Sequence, residues 1–292
     1  MTPLQITSST RLKSGRIFRN LLAGLGISLL VASHAQAAKV AFWAEHVPFP
    51  SLGSAHTVTL VSTADIDAGA LQNYDVLVAG HVPRGTANTC SRIAAFLAAG
   101  KGMVGEWNGA TVLFHPSPDA FEPADIACEL FAGLASGGGN TFGSELPIDI
   151  TEPSSPLVAG LSNPFTMGEG SAHVYQLTGL GPEWKVAATF DGEGSSHPAI
   201  LAALRPGGGC VALSPFDYFD RDQETGTSRR NMEVLLENLV KWVDPRAGQC
   251  GRAMAAAPAA TALKSVPTSG ILGVLALSCL LAVAGLSRLA RR

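Results

Sequence analysis

Charge is scarce in this sequence. Only 15% of its 292 residues are Asp, Glu, Lys or Arg, and aromatic side chains make up 7%, with just 3 Tyr. A 47% hydrophobic share excludes a disordered chain, and 20 basic against 23 acidic residues excludes a protein that grips nucleic acid by its phosphates. A CxxC pair is missing, as is any Cys/His spacing of a zinc site, so the 5 cysteines are not read as metal ligands. No internal repeat is visible. What the chain does have is hydrophobicity, and that hydrophobicity is unevenly placed.

Arg11, Lys13, Arg16 and Arg19 precede an apolar run from Leu21 to Ala32, followed by the small residues of Ala35-Gln36-Ala37. This is the layout of a secretory signal over residues 1–37, with the mature chain starting near Ala38. The run falls short of the ~20 residues a membrane span needs, which argues against a retained anchor. Residues 246–265 are rich in Ala, Gly and Pro and read as a linker. In residues 266–292, Ile271 to Leu286 is apolar apart from Gly and Ser, and Arg288, Arg291 and Arg292 close the chain. A C-terminal transmembrane helix is expected there, with the arginines held in the cytoplasm and the body outside. The protein should therefore be exported, either anchored in an inner membrane with its body in the periplasm or sorted to the cell surface.

Setting the ends aside changes the charge. Four of the 20 basic residues precede Ala38 and three follow Leu286, which leaves 13 against 23 acidic residues, a net of -10. Such a body has no affinity for nucleic acid or an anionic surface, and a divalent cation becomes the ligand its charge would favour, although no motif requires a cofactor. Cys90, Cys128, Cys210 and Cys250 lie in the exported part, an even number in a compartment that permits disulfides, and their pairing stays open.

Between residues 38 and 245, short apolar runs alternate with helical stretches. Lys39–Ala44, Thr57–Ser62, Asp75–Gly80 and Gly102–Trp107 read as strands, and Ile66–Asn73 and Thr86–Ala99 as the helices among them. Further on, Pro123–Leu134 is expected to be helical and Lys185–Phe190, Ala199–Leu204 and Cys210–Leu213 to be strands. Ser228–Val243 reads as an amphipathic helix. This alternation predicts one α/β domain, flavodoxin-like, with a mostly parallel sheet and helices on both faces.

Four segments carry a family resemblance: Tyr74-Asp75-Val76-Leu77-Val78, the run Phe96 to Gly105, the run Ser155 to Leu161, and Gly207 to Ser214. In this order they make the body resemble the class I glutamine amidotransferase-like superfamily, in particular its ThuA-like branch. The tail, with Val266-Pro267-Thr268, an apolar helix and an Arg cluster, resembles C-terminal sorting signals of the PEP-CTERM and IPTL-CTERM type. That resemblance implies a Gram-negative host and an exosortase-type processing enzyme as partner.

Active members of the superfamily place a nucleophilic Cys at a sharp strand-to-helix turn. Gly105-Glu106-Trp107-Asn108-Gly109 has the glycine spacing of that elbow, but Trp107 stands at the nucleophile's position, and indole offers no nucleophile for acyl transfer. Ligands of open α/β sheets gather at the carboxyl ends of the strands. There His46, His81, Glu106 and Asp217 would converge, a set suited to a divalent metal or to acid–base chemistry. Asp217, Asp220, Asp222 and Glu224 form an acidic run without the glycine turn and distal Glu of an EF-hand. Glu169 and His173 fall about where ThuA-like proteins have an acidic residue before a Tyr. The leading expectation is a binding or structural module that has lost its nucleophile. The rival is a ThuA-like enzyme acting on a carbohydrate or other small polar substrate through His46, His81, Glu106 and Glu169, with or without a metal.

Overall fold

A computed structural model describes residues 37–44, 50–80, 85–111, 128–131, 133–142, 145–167, 172–192, 194–205, 208–217 and 226–246. The chain opens with β1 (Lys39–Trp43), α1 (Pro50–Ala55), β2 (Thr57–Leu60), α2 (Thr63–Asp67), β3 (Val76–Ala79), α3 (Ala87–Ala98), β4 (Gly102–Glu106) and α4 (Trp107–Thr111). It continues through β5 (Ala135–Phe142), β6 (Leu146–Ile150), β7 (Phe165–Met167), β8 (Ala172–Thr178), β9 (Trp184–Gly192), β10 (Ser195–Leu204) and β11 (Cys210–Ser214) to α5 (Gly226–Val243).

Nine strands form one sheet in the order β2-β1-β3-β4-β11-β10-β9-β6-β7, and β5 pairs with β8 in a separate antiparallel ribbon. Successive residues of β1 and β3 point to opposite faces, and both faces are covered, so Val40 to Trp43 and Val76 to Ala79 are apolar without a break. Val40, Phe42, Val76 and Val78 pack with Leu52 of α1 and the stripe Met232, Leu235, Leu236, Leu239, Val240 and Val243 of α5. On the other face, Ala41, Trp43, Leu77 and Ala79 pack with Ile66 of α2 and Ile93, Phe96 and Leu97 of α3. At roughly 1.5–3 kcal/mol for each large side chain, burial of the α5 stripe alone favours folding by on the order of 10 kcal/mol, an upper bound. The C-terminal end of α5 sits hard against the start of β4, where a Cβ on Gly102 would stand 2.2 Å from the Val243 carbonyl oxygen.

The sheet departs from the mostly parallel expectation. From β2 to β11 the strands are parallel, but β10, β9, β6 and β7 continue antiparallel. Connection length is the cause. The links after β9 and after β10 are far too short for the crossover that a parallel neighbour needs. A single helix over Ile66–Asn73 also fails to form. Gly69, at φ +91°, ends α2, and a 3-10 turn, Ala70–Asn73, follows. Nor are residues 128–131, 133 and 134 helical, as the run Pro123–Leu134 predicts, and residues 123–127 lie outside the described part. Glu129 at φ +45° and Gly133 at φ +81° break any helix, and a disulfide from Cys128 to Cys90 ties this stretch to α3. Cys210 is disulfide-bonded too, and Cys250 lies outside the described residues. Among the described residues no helix is long and apolar enough to cross a membrane, and residues 266–292 are not among them.

Candidate functional site

The strands β1, β3, β4 and β11 all end at one rim, and the chain turns sharply there after β4. Trp107, the first residue of α4, has φ +43°, a left-handed backbone that glycine adopts freely and a bulky residue does not. The flanking glycines are required by close approach. A Cβ on Gly109 would lie 1.9 Å from the Ala79 carbonyl oxygen, and one on Gly105 would lie 2.9 Å from Cδ2 of Leu213 and 3.1 Å from Cα of Ala110. The strained central residue between two space-limited glycines is the geometry of a nucleophile elbow.

Indole fills the place where a reactive side chain would stand. Trp107 is 3% exposed, its ring 4.4 Å from that of Tyr175 and 5.8 Å from that of His173. Both partners come from β8, where alternate residues share a face, so His173 and Tyr175 look toward the elbow together. The segment after β11 is laced to the same strand: the Tyr175 N–H donates to the Pro215 carbonyl at 3.0 Å, and the Asp217 N–H donates to the His173 carbonyl at 3.0 Å. This brings Oδ2 of Asp217, with its side chain 7% exposed, to 3.8 Å from Nδ1 of His173, with its side chain 28% exposed. The separation is too long for a hydrogen bond, and the two form an ion pair only when the imidazole is protonated. Glu106 ends β4 opposite Ser214 and is 1% exposed.

Of the residues singled out in the sequence, Glu106, Trp107, His173 and Asp217 thus share this rim. His46, His81, Glu169, Asp220 and Asp222 lie outside the described residues. Sequence reasoning named His173 beside Glu169 without tying it to Trp107 or Asp217. Its signal was the alternation of His173 and Tyr175 along a strand, which places both on one face, but only the fold shows that Trp107 and Asp217 meet them. No cluster of His, Cys, Asp and Glu among the described residues has the geometry to hold a metal ion.

A Ser/His contact at the β9–β10 hairpin does not amount to a catalytic pair. Oγ of Ser195 lies 2.9 Å from Nε2 of His197, but that nitrogen also lies 3.2 Å from the Gly192 carbonyl. A carbonyl only accepts, so Nε2 carries the proton and has no lone pair with which to activate the serine. A histidine with a displaced pKa sits at the opposite rim. Nδ1 of His56 accepts from the Ala38 N–H at 3.3 Å, while Nε2 is buried with no hydrogen-bond partner among the described residues. Burial pushes this imidazole below its ordinary 6.5, against the smaller upward pull of Asp244 and Glu237.

No protein-family model matches the sequence, and no curated protein matches it. By structure the chain is similar to a ThuA-like protein from Bacteroides uniformis, with a TM-score of 0.53 and 13% identity over 75% of this chain and 97% of that one. It is also similar to a cytoplasmic protein from Salmonella typhimurium, with a TM-score of 0.52 and 12% identity over 70% of this chain and 99% of that one. At such identities the likeness speaks for architecture: the body has the mixed α/β fold of ThuA-like proteins.

Proposed function

We propose that the body is an amidotransferase-like domain without acyl-transfer activity, serving as a binding or structural module on an exported protein. The observation that carries this reading is Trp107. It occupies the elbow with a side chain that has no nucleophile and is buried with its ring tilted against that of Tyr175, so no thiol stands at the point where the superfamily's chemistry begins. The supporting features of export are in the sequence: the basic and apolar leader before Ala38, the disulfide-bonded cysteines, and the apolar tail with its terminal arginines. The tail would anchor the protein in the inner membrane or pass it to an exosortase-type enzyme for sorting to the surface. No cofactor enters this reading.

The purified protein is expected to release no ammonia from glutamine and to cleave p-nitrophenyl acetate no faster than buffer does. Turnover of either substrate that disappears on Trp107→Ala would overturn the assignment. For the export half, the mass of the protein recovered from its cells should correspond to a chain starting at Ala38. A C-terminus intact to Arg292 would exclude sorting by cleavage and leave the anchor.

One observation favours the enzymatic rival, in which the rim acts on a carbohydrate or small polar substrate. His173 is part-exposed with a buried carboxylate behind it, the arrangement in which a neutral imidazole can move a proton. Under that reading His173→Ala abolishes a turnover that Trp107→Phe preserves.

A further inference from the structure

On the rim opposite the elbow lies a cleft of ≈ 860 Å³, lined by Glu152, Leu157, Glu183, Lys185, Leu204 and Trp242 among others. Its origin is a strand that departs early. β6 pairs with β9 only through Asp149 opposite Thr189 and Ile150 opposite Ala188, after which the N–H groups of Thr151 and Glu152 both turn onto the Ala187 carbonyl and the chain leaves the sheet. Toward Trp184 no described residue pairs with β9 on that side, while its other edge stays paired with β10 as far as Trp184 opposite Ala203. Among the described residues Trp184–Val186 is therefore an open sheet edge, floored by the half-buried Trp242 of α5 and walled by the loop from Glu152 to Leu157.

Three charges line this edge. Glu152, Glu183 and Lys185 make no ion pair or side-chain hydrogen bond with any described residue. A lone lysine on a sheet edge deters pairing with other copies of the same edge. Here two carboxylates outweigh it and set the sign of the cleft, in a body that already carries a net charge of -10 between Ala38 and Leu286.

We propose that this cleft binds an extended peptide segment carrying basic side chains at alternate positions. The segment would add as a strand beside Trp184–Val186 where β6 has left. Main-chain hydrogen bonds to the open edge would give it its direction, and every second side chain would face Glu152 and Glu183. The site lies on the other rim from Trp107 and stands or falls independently of what the elbow does.

The test is a titration of the ¹⁵N-labelled protein with the acetylated, amidated tetrapeptide KVKV, with EVEV as the control. KVKV is expected to shift the amides of Lys185, Val186 and Ala187, and the double variant Glu152→Gln, Glu183→Gln to bind it about fivefold more weakly, as two part-exposed ion pairs would allow. Both substitutions are at the cleft's surface and leave the core untouched. The proposal is overturned by the absence of shifts at these amides at millimolar peptide, by equal shifts with EVEV, by undiminished binding to the double variant, or by a neutral disaccharide giving the same shifts.

Discussion

If the left-handed backbone at the elbow is real strain, replacing Trp107 by glycine must be less damaging than replacing it by alanine. Burying an indole removes about 150–250 Å² from water, and at about 25 cal/mol per Å² its loss costs about 4–6 kcal/mol. The stacking on Tyr175 adds about 1 kcal/mol. Both variants forfeit these amounts, partly recovered as the site collapses, so each should be destabilised by about 3–5 kcal/mol. They differ at the backbone. At φ +43° a Cβ costs about 1–2 kcal/mol, which alanine keeps and glycine sheds, whereas glycine gives back part of that gain through its freer unfolded chain. The expected order is wild type, then Trp107→Gly, then Trp107→Ala, with the last two separated by about 0.5–1 kcal/mol. Urea unfolding followed by far-UV circular dichroism, with equal slopes in all three proteins, measures it. An alanine variant as stable as the glycine variant would refute the claim that this turn is strained. Two variants as stable as the wild type would refute the burial of Trp107 itself.

Three further expectations rest on single features. Gly109→Ala places a Cβ 1.9 Å from a carbonyl oxygen, a clash with backbone that no rotamer relieves, so it should cost at least about 3 kcal/mol or prevent recovery of folded protein; near-wild-type thermal unfolding would contradict it. Cys90 and Cys128 lie 38 residues apart, and opening a loop of that size by the double substitution to alanine should cost about 4 kcal/mol on the chain-entropy account, read as a lower urea midpoint. His56 has its pKa lowered on folding, so the unfolded chain binds more protons in the window below 6.5. Its contribution to stability is complete above that pH and is lost as pH falls through the folded value. His56→Gln should flatten the urea midpoint across that window, and an unchanged slope would show that the imidazole does not titrate differently in the two states.

The parallel half of the sheet was legible in the sequence because its central strands β3, β4 and β11 are buried on both faces and its helices carry one apolar stripe. Val76 to Ala79 and the stripe from Met232 to Val243 are unambiguous for that reason. The antiparallel half was not. Its strands pair through hairpins whose direction depends on turn length, and β6, with buried and exposed residues alternating over Leu146–Ile150, is short and interrupted by Pro147. The spacing of Gly105 and Gly109 pointed to the elbow, and it located Trp107. The ring of groups around it was hidden because His173 belongs to a ribbon outside the main sheet, and nothing local in sequence says that this ribbon crosses the rim above β4.

An elbow with its strain intact and its nucleophile missing invites the conclusion that the geometry is a relic, but the contacts argue for a present role. Gly109 lets α4 lie directly on the carbonyl of Ala79, and Gly105 lets β4 pass beneath Ala110, so the turn closes the space between β3, β4 and β11. A gentler turn would lift α4 and leave a void where Ala110 now packs with no exposure. The strain at Trp107 is of order 1–2 kcal/mol, and the burial it permits is worth several times that. A sharp strand-to-helix turn flanked by glycines can therefore be kept by packing alone, and the chemistry at such a turn has to be read from the side chain at its apex. Here that side chain is an indole held against Tyr175, which makes the apex part of the core, and among the described residues it is His173, with the buried Asp217 behind it, that this rim turns toward solvent.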